Sequence, residues 1–344
     1  MRIPISLRAV LRRTAALAAA VLLSGCETLA YYAQAVGGQV SLMSRTQPVE
    51  RLLADPATPQ PLRARLALAR EIRDYAVKEL KLPDNASYRG YADIGRPYAV
   101  WNVVAAPEFS LEALQSCFPV AGCVTYRGFF ALDDAESHAA QLKSQGDDVY
   151  VRGVPAYSTL GRLDDPLLST FIRYPDADLA RLIFHELAHQ VAYVKDDSAF
   201  NEGFATVVER EGLRRWLVAT GRLEAQKEFL ATQERNKELA GEIEQVRAKL
   251  RVLYRQRIAP EAMRERKRAE LDSLKPKLAR FSRYRQLEPN NAFLAAYATY
   301  TELTPTFEHL LREEGGDLER FYARVKKYAA SPPGERGLLS APGK

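Results

Sequence analysis

The sequence predicts a predominantly helical α+β fold, in which a small mixed β-sheet precedes a helical core that carries an inserted helical hairpin. Segments rich in β-branched and aromatic residues lie between residues 98 and 161, and helical periodicity dominates from Asp176 onward. Hydrophobic residues make up 47% of the chain. This fraction is ordinary for a globular protein, so we expect a core of normal size.

The first 25 residues have the pattern of a lipoprotein signal peptide. Arginines precede an apolar run over residues 15–23, which is too short to cross a bilayer as a mature helix. The run ends in Leu23-Ser24-Gly25-Cys26, which resembles a bacterial lipobox and implies cleavage before Cys26 and lipid attachment to its thiol. An ordinary N-terminal anchor that contains a cysteine is the alternative. We therefore expect a lipid-anchored chain that faces the periplasm, on the inner or the outer membrane.

The net charge of +6 does not indicate nucleic-acid binding. The first 25 residues hold four arginines and no acidic residue, and the rest of the chain carries 45 basic and 43 acidic residues, a net charge of about +2. These charges alternate along the chain, so the sequence predicts no basic surface for a nucleic acid.

Helices and strands alternate in the N-terminal half of the chain. The segment from Tyr31 to Leu80 has a helical pattern. Strands are predicted over residues 98–106, 123–132 and 148–161, and a short helix that ends at Gly146 separates the last two.

Two cysteines remain after the signal peptide, Cys117 and Cys123. The residues between them include Pro119 and Gly122, a composition typical of a tight turn. An oxidising compartment permits a disulfide there, and two small buried thiols are the alternative.

Residues 224–283 are predicted to form a helical hairpin inserted into the domain. Apolar residues recur at 4-3-4-3 spacing from Leu239 to Leu253 and at 3-4-3 spacing from Leu271 to Phe281, and Pro260 between the runs is suited to begin a helix. The hairpin is either an inert insertion or an arm that docks an unknown protein. The remaining predicted boundaries are the signal peptide over 1–25, one domain over 26–330 and a disordered tail over 331–344.

The stretch HELAHQVAYVKDDSAFNEGFA, from His185 to Ala205, places ionisable side chains in an otherwise apolar segment. Burying them without partners would be costly, and a metal ion removes that cost. His185 and His189 are four residues apart, so both rings project from one face of a helix, and imidazole is a good zinc ligand. Glu186 lies beside this pair, where its carboxylate can take a proton from an attacking water. The sequence therefore predicts a catalytic zinc site, with one zinc ion per chain.

Glu202 is the predicted third ligand. The helix with the histidines, capped by Asp176 or Asp178, should continue about five residues past His189, rising roughly 7 Å. A returning helix, capped by Asp197 or Ser198, should descend roughly 6 Å to Glu202, level with the two histidines. Glu209, seven residues later, falls on the same helix face and is expected to hold a histidine ligand in place.

The segment NEGFATVVER (201–210) resembles the part of aminopeptidase N-like zinc enzymes that supplies the third ligand. Together with CFPVAGCVTYRGFF, AYSTLG and NNAFLAAYATY, it resembles a family of bacterial lipoprotein aminopeptidases over nearly all of the mature chain. The resemblance implies a gluzincin-like zinc metallopeptidase core that acts on peptides. The activity label of that family rests largely on its motif. The resemblance therefore supports a peptidase more firmly than an aminopeptidase.

The resemblance also implies further site residues. A tyrosine that stabilises the oxyanion is expected downstream of the third ligand, and Tyr300 is favoured over Tyr297. A strand that pairs with the substrate is expected upstream of the histidines, and its predicted residues are Tyr157, Ser158, Thr159, Leu160 and Gly161.

Three functions are compatible with this sequence. The first is a periplasm-facing zinc aminopeptidase, which needs an acidic group such as Asp164 or Asp165 to bind the substrate amine. The second is a zinc endopeptidase. The third is a non-catalytic envelope lipoprotein with a structural metal and the hairpin as a docking arm. A structural site has no need of Glu186, so its presence favours an enzyme.

Overall fold

The computed structural model describes residues 31–118 and 122–331. The predicted signal peptide with Cys26 lies outside the described residues, as does the predicted tail from residue 332 onward. The chain divides into one unit up to Arg45 and a second from Thr46. In the first unit, residues 31–44 form helix α1. No helix among the described residues is both long enough and apolar enough to cross a membrane.

The strands of the second unit form three small sheets. One has the order β1-β2-β8 and is mixed, because β1 is antiparallel and β8 parallel to β2. The second is antiparallel with the order β6-β3-β7, and the third is the antiparallel pair β4-β5. The strands are β1 (Gln47–Pro48), β2 (Gly90–Ala92), β3 (Val100–Ala106), β4 (Ser116–Phe118), β5 (Gly122–Val124), β6 (Arg127–Phe129), β7 (Asp148–Val154) and β8 (Leu167–Leu168).

Helices make up most of the second unit. With about 58% helix and small sheets, the structure confirms the predicted, predominantly helical α+β class. The helices are α2 (Val49–Ala54), α3 (Gln60–Lys78), α4 (Leu132–Ser144), α5 (Asp176–Ala188), α6 (Ser198–Ala219), α7 (Leu223–Tyr254), α8 (Pro260–Asp272), α9 (Lys275–Leu278), α10 (Asn291–Thr301), α11 (Thr304–Glu313) and α12 (Leu318–Ala330), with a 3₁₀ turn over Ser282–Tyr284.

Two predicted segments are interrupted. The helical pattern from Tyr31 to Leu80 breaks twice, because Pro48 and Pro59 lie extended just before α2 and α3. The predicted strand over 123–132 becomes β5 and β6, separated by a bend. The break arises because β5 pairs with β4 whereas β6 pairs with β3, so the chain passes from one sheet to another.

Helices α7 and α8 are antiparallel, as the leucine spacing predicts. Successive ion pairs join Lys249 to Glu270 and Glu242 to Arg280, so the two segments run in opposite directions. Their apolar seam is a buried cluster that also includes Phe293 of α10. The seam consists of Leu239, Ile243, Val246, Leu250, Leu253, Met263, Leu271, Leu274 and Leu278. The base of the hairpin therefore belongs to the core beside α10.

Helix α6 is fixed by aromatic packing on one side. The ring of Phe204 lies 5.9 Å from Phe307 of α11 and 5.7 Å from Phe321 of α12. All three side chains are fully buried. Burial of each such ring contributes about 1.5–3 kcal/mol, so the position of α6, and of any side chain that it carries, is well determined.

Candidate metal centre and active-site cavity

The ends of helix α5 differ from the prediction. Asp176 and Asp178 lie in its first turn, and the N-cap position is Pro175, which has no side-chain acceptor. Asp176 is instead paired with Arg65, with 2.6 Å between Oδ1 and Nη1. The helix ends at Ala188 with His189 as its C-cap, so the predicted continuation of about five residues past His189 is wrong.

Asn201 fixes the connection between α5 and α6, directly before Glu202. Its amide nitrogen donates to the carbonyl of Val194 at 2.8 Å, and its amide oxygen accepts from the N–H of Val194 at 2.7 Å. The side chain of Asn201 is only 3% exposed. It therefore satisfies both backbone groups of a non-helical residue in the connection. Asp197 caps α6, as predicted, by accepting from the N–H of Phe200 at 2.9 Å.

The same connection is braced by the hairpin β4-β5. Cys117 and Cys123 are joined in a disulfide, as predicted, and the side chain of Asp196 accepts a hydrogen bond from the N–H of Cys123. Gly122 has φ +77° and lies directly against Lys195 and Asp196. A side chain at Gly122 would be strained and would displace this turn.

His185, His189 and Glu202 form a group that can hold a metal ion. One ligand atom from each lies within 4.8 Å of the other two. His185 Nε2 is 3.3 Å from Glu202 Oε2, and His189 Nε2 is 3.9 Å from Glu202 Oε1. Glu202 Oε2 is buried and has no hydrogen-bond partner among the described residues. Two imidazoles and a buried carboxylate around one point fit a divalent ion.

Glu209 orients His185 for this role. Its Oε2 lies 2.8 Å from Nδ1 of His185, which leaves Nε2 directed at Glu202. Arg181 is 3.7 Å from the other oxygen of Glu209. Burial opposes a charge on His185, but its contacts with Glu202 and Glu209 hold its pKa well above the usual value. A metal ion bound at Nε2 would replace the proton that these carboxylates otherwise stabilise.

Glu186 is positioned to handle a proton. It lies with His185 in the wall of a cavity of about 350 Å³. Burial raises the pKa of Glu186 to about 7, with an opposing effect of His185. A carboxyl group that titrates near neutrality can accept and return a proton in one reaction cycle.

Tyr300 and Tyr297 both line this cavity, but they differ in their contacts. Arg152 donates a hydrogen bond from Nη2 to the Tyr300 hydroxyl oxygen at 2.5 Å. Because that oxygen accepts, the hydroxyl proton of Tyr300 must point elsewhere, and burial keeps the group protonated by raising its pKa. Tyr297 packs instead on Phe293, with ring centres 6.2 Å apart. Arg152, which the sequence does not predict, thus distinguishes the two tyrosines.

The segment predicted as a substrate strand, residues 156–161, is a loop. The strand expected over 148–161 ends at Val154, and residues 156–161 form a loop with left-handed backbone at Leu160 and Gly161. Tyr157, Ser158, Thr159, Leu160 and Gly161 are therefore not a strand and do not line the cavity. Residues 152–156, at the end of β7 and just beyond it, line the cavity instead. The residues before Leu160 have a composition typical of a strand, so the sequence does not indicate the turn that Leu160 and Gly161 form.

Asp165 supports that loop. It is 4% exposed and accepts from the N–H of Thr159 at 2.9 Å. Burial raises the pKa of Asp165 to about 6. Neither Asp164 nor Asp165 is among the residues that line the cavity, and their role in binding a substrate amine stays a prediction.

Comparison with known families and proteins gives one match. The model of a family described as "Putative aminopeptidase" matches residues 30–339. Neither a search of curated proteins nor a search of solved structures found a match.

Proposed function

Since the chain belongs to this aminopeptidase family, we propose that it hydrolyses peptide bonds with a zinc ion held by His185, His189 and Glu202. The observation that carries the proposal is that these three side chains converge within 4.8 Å while Glu186 and His185 share one cavity wall. Two histidines and one glutamate are the ligands of a catalytic zinc site that leaves a position open for water.

The chain's own residues supply the remaining chemistry. When bound, zinc polarises the scissile carbonyl and lowers the pKa of the attacking water. Glu186 takes a proton from that water and returns it to the leaving amine nitrogen. Tyr300, whose oxygen is held by Arg152, donates its hydroxyl proton in a hydrogen bond to the developing oxyanion.

The end of β7 is suited to bind the substrate backbone. In the described part of the chain, β7 is the last strand of its sheet, so one of its edges is not paired with another strand. Residues 152–156 lie in the same cavity as His185 and Glu186. An extended peptide that pairs with such an edge would be held with its scissile bond near the catalytic groups.

An endopeptidase is the second candidate. An aminopeptidase binds the free amine of its substrate through an acidic group, and the carboxylates that line this cavity are Glu186 and Glu209. Glu186 is assigned as the base, and Glu209 is bonded to His185. The family description favours an aminopeptidase. The composition of the cavity favours an endopeptidase, which needs no acidic group to bind a substrate amine.

Mutation of single residues separates metal binding from catalysis. Glu186→Gln should retain about one zinc ion per chain while hydrolysis falls roughly 10²-fold or more. His189→Ala and Glu202→Ala should lose both. Glu238→Gln, at an exposed position of α7, serves as the control and should change neither. The measurements are elemental analysis and cleavage of peptides with free and blocked N-termini. Unchanged cleavage by Glu186→Gln would contradict the mechanism and favour a non-catalytic lipoprotein.

We also propose that the mature chain is anchored through lipid on Cys26 and faces the periplasm. The lipobox-like Leu23-Ser24-Gly25-Cys26 supports this proposal. Cys26→Ser should leave an unlipidated precursor that is absent from the detergent phase after extraction. Normal partitioning and mature mass of that variant would rule the anchor out.

A further inference from the structure

We propose that the end of the cavity farthest from the metal centre binds a carboxylate group of the substrate, chiefly through Arg283. This inference rests on the proposed peptidase function and specifies its substrate class. It places the determinant of specificity at the base of the helical hairpin, for which the sequence predicts either an inert insertion or a docking arm.

The cavity follows one face of α10. Tyr300, Tyr297 and Phe293 all line it, at a spacing that keeps them on one side of the helix. With a rise of 1.5 Å per residue, Phe293 lies about 10 Å along the axis from Tyr300. The cavity therefore runs from the proposed oxyanion donor toward the segment that packs on Phe293.

That segment is the base of the hairpin. The ring of Tyr284 lies 5.5 Å from Phe293, and the guanidinium of Arg283 lies 4.7 Å from the centre of the Tyr284 ring. Arg283 donates to the side-chain oxygen of Asn236 in α7 at 3.2 Å. Arg283, Tyr284 and Asn236 all line the cavity. The hairpin thus forms its far wall.

The charges along the cavity are unequal. Four arginines line it, together with two glutamates. Arg181 is near Glu209 at 3.7 Å, Arg210 pairs with Glu308 at 2.9 Å, and Arg152 donates to Tyr300. Arg283 is bonded to the neutral Asn236 and forms no ion pair with an acidic side chain of the described residues.

An uncompensated guanidinium in a cavity wall favours an anion. Arg283 is exposed at the mouth of the cavity, and its planar donors match the geometry of a carboxylate. Burial raises the pKa of the half-buried Tyr297 hydroxyl to about 12. This hydroxyl therefore stays protonated and is a further donor in the wall of the same cavity.

The distance limits which carboxylate fits. An extended peptide advances about 3.3 Å per residue, so the span of about 10 Å from Tyr300 to Phe293 corresponds to about three residues, which the proposal places on the C-terminal side of the scissile bond. A free C-terminus at that point selects short peptides, whereas an acidic side chain there selects longer, acidic ones. The C-terminus and the acidic side chain each present a carboxylate to Arg283, and matched pairs of substrates distinguish the two sources.

The test compares substrates with and without the carboxylate. Peptides of one sequence, ending three residues after the cleaved bond, are offered with a free or an amidated C-terminus, and longer peptides carry Glu or Gln at that position. We expect wild-type protein to prefer one carboxylate-bearing member by about twofold to fivefold in kcat/KM, mainly through KM, as for an exposed ion pair. Arg283→Gln should abolish the preference, because kcat/KM for the carboxylate-bearing member falls to that of the amide or Gln member. Arg285→Gln, an exposed neighbour outside the cavity wall, should behave as wild type.

Binding measurements separate this proposal from the proposed function. The inactive Glu186→Gln protein, loaded with zinc, is titrated with the same peptides by calorimetry, with and without Arg283→Gln. Tighter binding of the carboxylate member that depends on Arg283 would support the site even if no peptide were cleaved. Equal affinity for all members, or a preference that persists without Arg283, would overturn the inference while leaving the peptidase assignment intact.

Discussion

Asn201→Ala should destabilise the protein and weaken the proposed metal centre, although Asn201 is not among the proposed ligands. The substitution removes two hydrogen bonds, of 2.7 and 2.8 Å, to the backbone of Val194. Val194 is 3% exposed, so water does not replace the amide. Its carbonyl still accepts from the N–H of Asp197 at 3.3 Å, whereas its N–H loses its partner. One unsatisfied buried group costs about 1–3 kcal/mol, so the free energy of unfolding should fall by about 1–3 kcal/mol, out of the roughly 5–15 kcal/mol typical of a domain.

The metal centre should respond in the same direction. Glu202 follows Asn201 directly, and α5 and α6 are held at their relative height by the connection that Asn201 fixes. A displaced Glu202 carboxylate binds the ion less well, so the dissociation constant for zinc should increase. His185 and Glu209 should be less affected, because their 2.8 Å contact does not involve the connection.

Denaturant unfolding of the metal-free protein gives the free energy of unfolding, and competition with a chelator gives the dissociation constant for zinc. Asp197→Ala is the matched control. It removes the cap of the same helix, with its 2.9 Å bond to Phe200, and should cost only about 1 kcal/mol. If Asn201→Ala cost no more than Asp197→Ala, or left zinc affinity unchanged, the proposed role of Asn201 in the connection would be wrong.

Two further predictions concern stability. The pKa of Asp165 is raised to about 6 from its usual 3.8, so between these pH values the folded state binds a proton that the unfolded state has released. The free energy of unfolding should therefore fall by up to about 3 kcal/mol as the pH rises from about 4 to about 6. Asp165→Asn, which keeps an acceptor for Thr159, should flatten that part of the pH profile of unfolding; an unaltered profile would contradict the assignment. Gly212→Ala should destabilise by about 1–3 kcal/mol, because its Cβ would lie 2.7 Å from Leu80 and 3.0 Å from Phe184. Gly241→Ala, with nothing within 4 Å, should stabilise α7 by about 0.5–1 kcal/mol, and equal thermal shifts for the two variants would refute the packing argument.

The parts of the site that could be predicted from sequence depend on local geometry. His185 and His189 share a helix face by spacing alone, and Glu202 follows from a short reversal of the chain. The prediction reached Glu202 although its assumed path was wrong, since α5 ends at Ala188 and not five residues after His189. Any compact reversal of this length brings the next helix back beside the first.

The parts that could not be predicted depend on contacts between distant segments. Arg152 lies in β7 with no local pattern that marks it, and only the packing of α10 against β7 brings it to Tyr300. Asn201 directly precedes a predicted ligand, but its role depends on the backbone of Val194, which sequence spacing does not place. The loop over 156–161 escapes prediction because its β-like composition outweighs the turn formed by Leu160 and Gly161.

The residues of the proposed metal centre therefore lie close together in the sequence, whereas those of the cavity lie far apart. His185 and Glu209, which frame the metal site, are 24 residues apart, whereas Arg152 and Tyr300 are 148 residues apart. Closing the longer loop costs roughly 1.5 kcal/mol more conformational entropy, and every intervening helix must also be in place. In the proposed enzyme, metal content would therefore report on residues 185–209, whereas the cavity walls from β7 and α10 would have to be counted by titrating the cavity itself.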